Sequence, residues 1–382
     1  MIGSCNDSRR RYVGLMRIVL FMAAAGLGNV AFASRADDLV EEARELSRGG
    51  DIGGAESKLK SALEADRNNV AANVEMGILK LMRNDLVTAL QFVNVALAKD
   101  RRSAAALILY VRINAFQGVP DVGLKKVEEV ANGLPQDAGA QLAYTEALVA
   151  SKKYDLALLA VTRVLKLQET SVPAMKLLAR TYLGLERPVT AESILLRALD
   201  IERDAEALTL LAGIRYDEKN YIEARVLLEE AVEKDGGYVE ALNSLGALYV
   251  VVRSFEAAND TLQKALALSP SLAEAWLNLG SAQRGEGEFE KAEASWKRTL
   301  TLAPKMNDAW YNLGILYLEN PLGKRDKIQQ LTDAVNALNA YKRGSGVTDP
   351  NADKFIEEAR LLMKQEQDRR TEQLKGPQTK LE

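Results

Sequence analysis

Between about residue 36 and residue 343, apolar residues recur every three or four positions in short blocks, with polar turns between them. That spacing lays one apolar stripe along a helix. In the C-terminal half the pattern is clearest. Trp276, Leu279 and Gln283 fall on one face of a first helix, and Ala292, Trp296 and Thr299 on one face of a second. Few β-branched runs occur, and Ala, Leu, Glu, Lys and Arg, all good helix formers, dominate the text. The prediction is an all-α chain built from amphipathic helix pairs.

The pairs repeat. Ala241-Leu242, Leu245-Gly246, Ala258 and Pro270 return 34 residues later as Ala275-Trp276, Leu279-Gly280, Ala292 and Pro304, and partly again as Ala309-Trp310, Leu313-Gly314 and Tyr317. A small residue marks the same place in every copy: Ala55, Ala89, Gly123, Ala157, Ala191, Ala224, Ala258 and Ala292. The interval is 34 residues throughout except for 33 between Ala191 and Ala224. Such self-similarity is the mark of a solenoid whose units bury their apolar faces on one another. It divides the chain at about 36–69, 70–103, 104–137, 138–171, 172–204, 205–238, 239–272 and 273–306, with a ninth unit from 307. Gly280 and Ala292 are small where paired helices approach, Phe289 plugs the junction, and Pro304 stops the second helix.

These positions resemble the tetratricopeptide repeat, whose sequence of an aromatic, Leu-Gly, Tyr, Ala, an aromatic, Ala and Pro is met almost in full over residues 239–317. The resemblance implies a right-handed superhelical solenoid of antiparallel helix pairs, with the first helix of each pair lining the concave face. It also implies a protein that binds proteins or peptides there.

The ninth unit departs from the pattern. Glu319–Arg325 reads as an insertion before a second helix from about Asp326 to Lys342, followed by a Gly344-Ser345-Gly346 turn. Asp349-Pro350 reads as an N-cap with proline at the first helical position. Phe355, Ile356, Ala359, Leu362 and Met363 then form one apolar face that gives way to polar residues from Lys364. A C-terminal capping helix over 344–375 fits this, because the last repeat must shield its open face. Residues 376–382 read as a disordered tail, and 34–343 as the array of eight repeats and a partial ninth.

On the predicted inner face, the non-core positions of the C-terminal repeats are polar and include Asn243, Asn278, Arg284, Tyr311 and Asn312. An asparagine both donates and accepts, so Asn278 and Asn312, each just before a Leu-Gly pair, suit the backbone of an extended peptide. Satisfied surface asparagines are the alternative. The family's clamp for a C-terminal carboxylate would need lysines where this chain carries Asn243, Ala247, Asn278 and Asp308. In the N-terminal repeats the matching positions, Val74, Ile78, Leu81, Ile108, Leu142 and Val149, are apolar. They either line a groove for an amphipathic helix or apolar peptide, or pack on neighbouring turns.

Residues 1–33 carry an address rather than fold. Arg17 precedes an apolar run from Ile18 to about Val30 that ends in Ala31-Phe32-Ala33, a secretory signal with cleavage between Ala33 and Ser34. Met16 is an alternative start, and Arg9-Arg10-Arg11 loosely resembles a twin-arginine export signal. The run falls short of the ~20 residues that span a bilayer. The expected location is the periplasm or beyond, and Cys5, lying before the apolar run, leaves no lipobox cysteine.

Composition narrows the chemistry. The 382 residues contain no histidine and one cysteine, which removes the usual general base, the commonest zinc ligand and any intrachain disulfide. No nucleophile–base pair, metal-ligand spacing or phosphate loop stands out, so no catalytic residue, metal or cofactor is predicted, and no small-molecule substrate. A net charge of −3 with no basic tract beyond the N-terminus argues against nucleic acid. The prediction is a non-enzymatic scaffold in a cell-envelope complex; the alternative is a periplasmic chaperone for extended or apolar segments of outer-membrane proteins. An exported array with an insertion in its last unit and a helix with a polar end, Tyr311–Arg370, also resembles the envelope repeat proteins of the myxobacterial adventurous gliding motility apparatus. That resemblance implies a role in a trans-envelope motility complex, with any membrane association through partners.

Overall fold

The computed structural model describes residues 34–345 and 349–375; the predicted signal segment 1–33 and tail 376–382 lie outside the described residues. Within them the chain forms nineteen α-helices and no strand. Eighteen pair in sequence: α1 (Arg35–Arg48) with α2 (Ile52–Ala65), α3 (Val70–Met82) with α4 (Leu86–Lys99), and α5 (Ala104–Phe116) with α6 (Pro120–Gly133). Next come α7 (Ala138–Ala150) with α8 (Tyr154–Leu167), α9 (Val172–Gly184) with α10 (Pro188–Ile201), and α11 (Ala205–Asp217) with α12 (Tyr221–Lys234). The last three pairs are α13 (Val239–Val251) with α14 (Phe255–Leu268), α15 (Ala273–Gly285) with α16 (Phe289–Leu302), and α17 (Asn307–Glu319) with α18 (Lys327–Ser345). A longer helix, α19 (Pro350–Lys375), follows them.

The small-residue register lies at the tightest contact of each pair. Ala55, Ala89, Ala157, Ala191, Ala224, Ala258 and Ala292 are all at most 1% exposed. A Cβ on Gly123 would meet the Val111 backbone at 3.1 Å.

A second 34-residue register sits in the turn inside each of the first eight pairs. One residue there has positive φ: Gly50, Asn84, Gly118, Lys152, Glu186, Lys219, Arg253 and Gly287. The following N–H reaches back five residues, as from Asp51 to Leu46 O (2.8 Å), Lys153 to Leu148 O (2.8 Å) and Glu288 to Gln283 O (2.8 Å). This is the Schellman ending, which satisfies the last carbonyls of the helix. Five of the eight turns use a residue other than glycine, so the repeat geometry imposes the left-handed conformation against side-chain preference.

Curvature follows from which helices touch. The first helices of neighbouring repeats contact one another, α1 with α3, α5 with α7, α7 with α9 and α13 with α15, whereas the second helices of neighbours do not approach to the same extent. The row of first helices is therefore the shorter one and lines the inside of the curve.

The curve is tight enough to bring the array back onto itself. Gly236, in the turn between α12 and α13, donates its N–H to the Arg48 carbonyl at the end of α1 (2.8 Å). One repeat later Ser269 Oγ donates to the Met82 carbonyl at the end of α3 (2.7 Å), across 187 residues of chain. A single apolar cluster runs through both regions, joining Val40, Leu59 and Met76 to Leu242, Leu262 and Leu279.

The insertion in the ninth pair is held by a buried carboxylate. Glu293 on α16, 7% exposed, accepts from Lys297 Nζ (2.6 Å), the Tyr317 hydroxyl (2.8 Å) and Arg325 Nη2 (3.0 Å). Burial alone would raise its carboxyl, but those donors outweigh it and hold the group below the ordinary carboxylate value. Leu322, in the insertion, is 4% exposed, and Gln330 donates to the Tyr317 and Asn320 carbonyls at 2.8 Å each.

Helix α18 continues through Gly344 and Ser345 instead of turning there. At Gly344 a Cβ would strike the Asn307 amide at 2.0 Å, so this glycine serves a close approach, not a bend. Helix α19 caps the array: Ala352, Ile356 and Ala359 are buried, Asp349 Oδ1 accepts from the Asn351 N–H (2.9 Å), and Arg370 near its polar end reaches Asp326 (2.5 Å).

Candidate interaction surface

Positions on the inner face follow the same register as the core. In repeats 3 to 5 one inner row reads Arg112, Glu146, Arg180, each 34 residues after the last. Glu146 lies between the two guanidinium groups, accepting from Arg112 Nε (3.2 Å) and Arg180 Nη1 (3.0 Å), with only 6% of its side chain accessible. In a neighbouring row Lys176 pairs with Asp204 and with Glu206, the latter at 2.9 Å. Desolvation would lower the Lys176 ammonium, but Glu206 and Asp204 outweigh it and hold it above its ordinary value. Glu206 mirrors this: burial would raise its carboxyl, and Lys176, Arg112 and Arg180 keep it lowered. Burial, reinforced by Glu240 and Glu206, pushes the Tyr238 phenol up, so it stays protonated. Arg112 feels both Glu206 and Tyr238 from across the curve, although half of its side chain is accessible. The inner wall of repeats 3 to 6 is thus filled by its own paired charges.

The predicted apolar wall of the N-terminal repeats is mostly spent on packing. Val74 is 3% exposed and belongs to the core, with only its edge lining a shallow cavity beside Val70 and Asn69. Ile108, Leu81 and Leu142 are partly buried against that core, and Val149 is 9% exposed within it. Ile78, at 36%, is the accessible one of the set.

Repeats 7 to 9 differ. Asn278 Nδ2 donates to Asn243 Oδ1 (3.1 Å), which joins two of the predicted contact residues on adjacent first helices. Asn312, one repeat beyond Asn278, is half-buried with no side-chain hydrogen bond among the described residues. Glu240, Glu274 and Asp308 are exposed on the first turns of α13, α15 and α17. Arg284 is engaged by Glu319 (2.6 Å). Tyr311 meets the capping hairpin, with ring centroids 5.1 Å from Tyr341 and 6.3 Å from Phe355. The cap therefore closes one end of this polar stretch.

Sequence reasoning did not single out Arg112, Glu146, Arg180, Lys176 or Glu206. The signal was present, since alternating charge at 34-residue spacing in one row puts opposite charges on adjacent turns of the solenoid. Among the described residues no group of three or more acidic or Cys side chains is placed to hold a metal, and no helix is long and apolar enough to cross a membrane.

Profiles of the tetratricopeptide repeat match residues 148–214, 243–294 and 277–346. Among solved structures, that of the APC/C hetero-tetramer Cut9–Hcn1 is similar at 16% identity and a TM-score of 0.64, over 85% of this chain; this chain spans 63% of that one. Shorter structures also match: Pseudomonas aeruginosa pilF, at 18% identity over 59% of this chain and 96% of its own, has a TM-score of 0.49. MamA, at 23% identity over 42% of this chain and 95% of its own, has a TM-score of 0.36. No curated protein sequence matches, and no comparison supports the narrower resemblance to gliding-motility repeat proteins. Residues 148–214 and 243–346 are tetratricopeptide repeats, and the described array as a whole has the fold of a tetratricopeptide-repeat solenoid.

Proposed function

We propose that the protein is an exported, non-catalytic scaffold that grips an extended segment of a cell-envelope protein along the inner face of repeats 7 to 9. One observation carries this reading: repeats 3 to 6 spend their inner polar side chains on each other, whereas Asn312, Glu240, Glu274 and Asp308 remain uncommitted. An asparagine row flanked by carboxylates suits a main chain bearing basic side chains, because the amides read the backbone and the acids read charge. The signal-like text of residues 16–33 supports an envelope location. A trans-envelope motility machine, the narrower resemblance of Tyr311–Arg370, is one assembly of this kind.

Proximity labelling in the native host, using the protein tagged at its C-terminus and an Asn278→Ala/Asn312→Ala variant, tests the proposal. One envelope complex dominating the labelled set, and falling away in the double variant, is the expected result. Equal recovery by both would remove the asparagine face as the site. A broad set of unrelated apolar clients would replace the scaffold with the chaperone.

A further inference from the structure

The contact that closes the superhelix is built as two matching steps. The Gly236–Arg48 and Ser269–Met82 hydrogen bonds each join the end of a first helix to a turn between repeats, and they lie one repeat apart on both strands of the coil. The ribbon of repeats thus lies edge to edge on itself, in register, at repeats 1 and 2 against the turns on either side of repeat 7.

Glycine makes the first step possible. Among the turns between repeats, the one at Asp235-Gly236-Gly237 alone carries a glycine pair, and it faces Gly49-Gly50. A Cβ on Gly237 would come within 2.1 Å of the Ser47 carbonyl. Gly237 is not among the positive-φ residues, so close approach is what requires a glycine there. Beyond the second step the register lapses: Phe116, which ends α5 as Met82 ends α3, is 57% exposed.

Closure brings opposite inner walls together. Tyr238 directly follows the glycine pair and is the N-cap residue of α13, the helix that carries Asn243. With Gly236 bonded to Arg48, it lies within electrostatic reach of Arg112 and Arg180, so the edge contact holds these two walls facing one another.

We propose that this edge contact is a latch, and that its release extends the binding track from repeats 7–9 onto the charged wall of Arg112, Glu146 and Arg180. The proposal rests on the reading of the inner face as the binding surface. The added segment is one with charges of both signs, since it must replace Glu146 between the two arginines and Lys176 beside Glu206. Apolar burial at the joined edges holds the latch closed, and the two hydrogen bonds fix its register.

The test uses the full chain with Cys5→Ser and a reporter, Thr209→Cys, which occupies the inner row of Lys176 one repeat on. Gly237→Ala is added, then Gly237→Ala with Ser269→Ala. The expected result is a larger radius of gyration in solution scattering and about tenfold faster maleimide modification of the reporter, the size expected when a sub-global opening loses about 1.4 kcal/mol. Helical content should be unchanged. Ser269→Ala alone, which removes one side-chain hydrogen bond and adds no bulk, should show a smaller rise in the same direction. Unchanged scattering and modification in all three variants would overturn the latch, as would a rise accompanied by general loss of helix. Neither readout involves a partner. Loss of the asparagine dependence above would therefore remove the asparagine face as the site and leave the edge contact standing, whereas unchanged reporter modification would sink the latch alone.

Discussion

A Cβ on Gly280 would sit 2.6 Å from the indole Nε1 of Trp296, so the bare backbone on α15 is what seats the largest fully buried ring on α16. Trp296 is 1% exposed, and its Nε1 donates to the Leu277 carbonyl (3.0 Å), which fixes the ring and leaves it no room to yield. Gly280→Val should therefore destabilise the C-terminal repeats by about 1–3 kcal/mol, the usual cost of overpacking. Trp296→Ala should cost about 3–5 kcal/mol through the cavity it leaves. Urea melts followed by tryptophan fluorescence for the glycine variant, and by circular dichroism for both, would measure these. A Gly280→Val midpoint equal to wild type would refute the close-approach argument.

Glu186 holds a φ of 58° in the turn between α9 and α10. A side chain in that region costs about 1–2 kcal/mol relative to its ordinary conformation, and glycine offsets part of the gain through greater unfolded-state freedom. Glu186→Gly is expected to raise stability by roughly 0.5–1 kcal/mol. Gly287→Ala, at φ 80° with open space around its Cβ, should lower it by a similar amount. Opposite signs at two equivalent turns, read by thermal melts, are the check.

The sequence made the helix pairs and their 34-residue register legible because Ala55 through Ala292 mark a contact at which only a small side chain fits, whatever the rest of the repeat does. The left-handed turns were harder to see. Lys152, Lys219 and Arg253 adopt a conformation that their residue types disfavour, and only the surrounding repeat geometry imposes it. The degree to which Val74 is covered was hidden for a related reason: helical spacing places it on the first helix, but how far neighbouring turns cover it depends on superhelix curvature, which is a long-range property. Closure of the coil through Gly236 and Arg48 is the same property at full scale, and no local pattern encodes it.

Glu56 on α2 accepts from Lys80 (2.9 Å), Arg83 (2.5 Å) and Lys60 (3.3 Å). The hydrogen bond from Lys80 leads in lowering its carboxyl from 4.5 to about 2, against a smaller opposing effect of burial, with Arg83 and Lys60 adding to the fall. A folded value below the unfolded one means that the contribution is complete above about pH 4.5 and lost as pH falls toward 2. Glu56→Gln should therefore lower the melting temperature at pH 7, and the gap from wild type should narrow steadily between pH 4.5 and pH 2. A gap that is constant across that window would mean that the carboxylate charge is not what joins repeats 1 and 2.

Helix α19 lies against α18 and, through Phe355 and Tyr311, against the end of the inner face. Its buried residues Ala352, Ile356 and Ala359 cover the side of the ninth pair where a tenth repeat would otherwise stack. Removing residues 350–375 would take Ala359, Leu362 and Met363 out of the apolar cluster of the ninth pair, leave part of that cluster facing water, and free Asp326 from Arg370. An open solenoid end is a template for stacking another copy. The truncated chain should melt earlier and show concentration-dependent self-association by sedimentation velocity. A monomer with the full-length melting temperature would show that the ninth pair closes the array by itself and that α19 is an appendage.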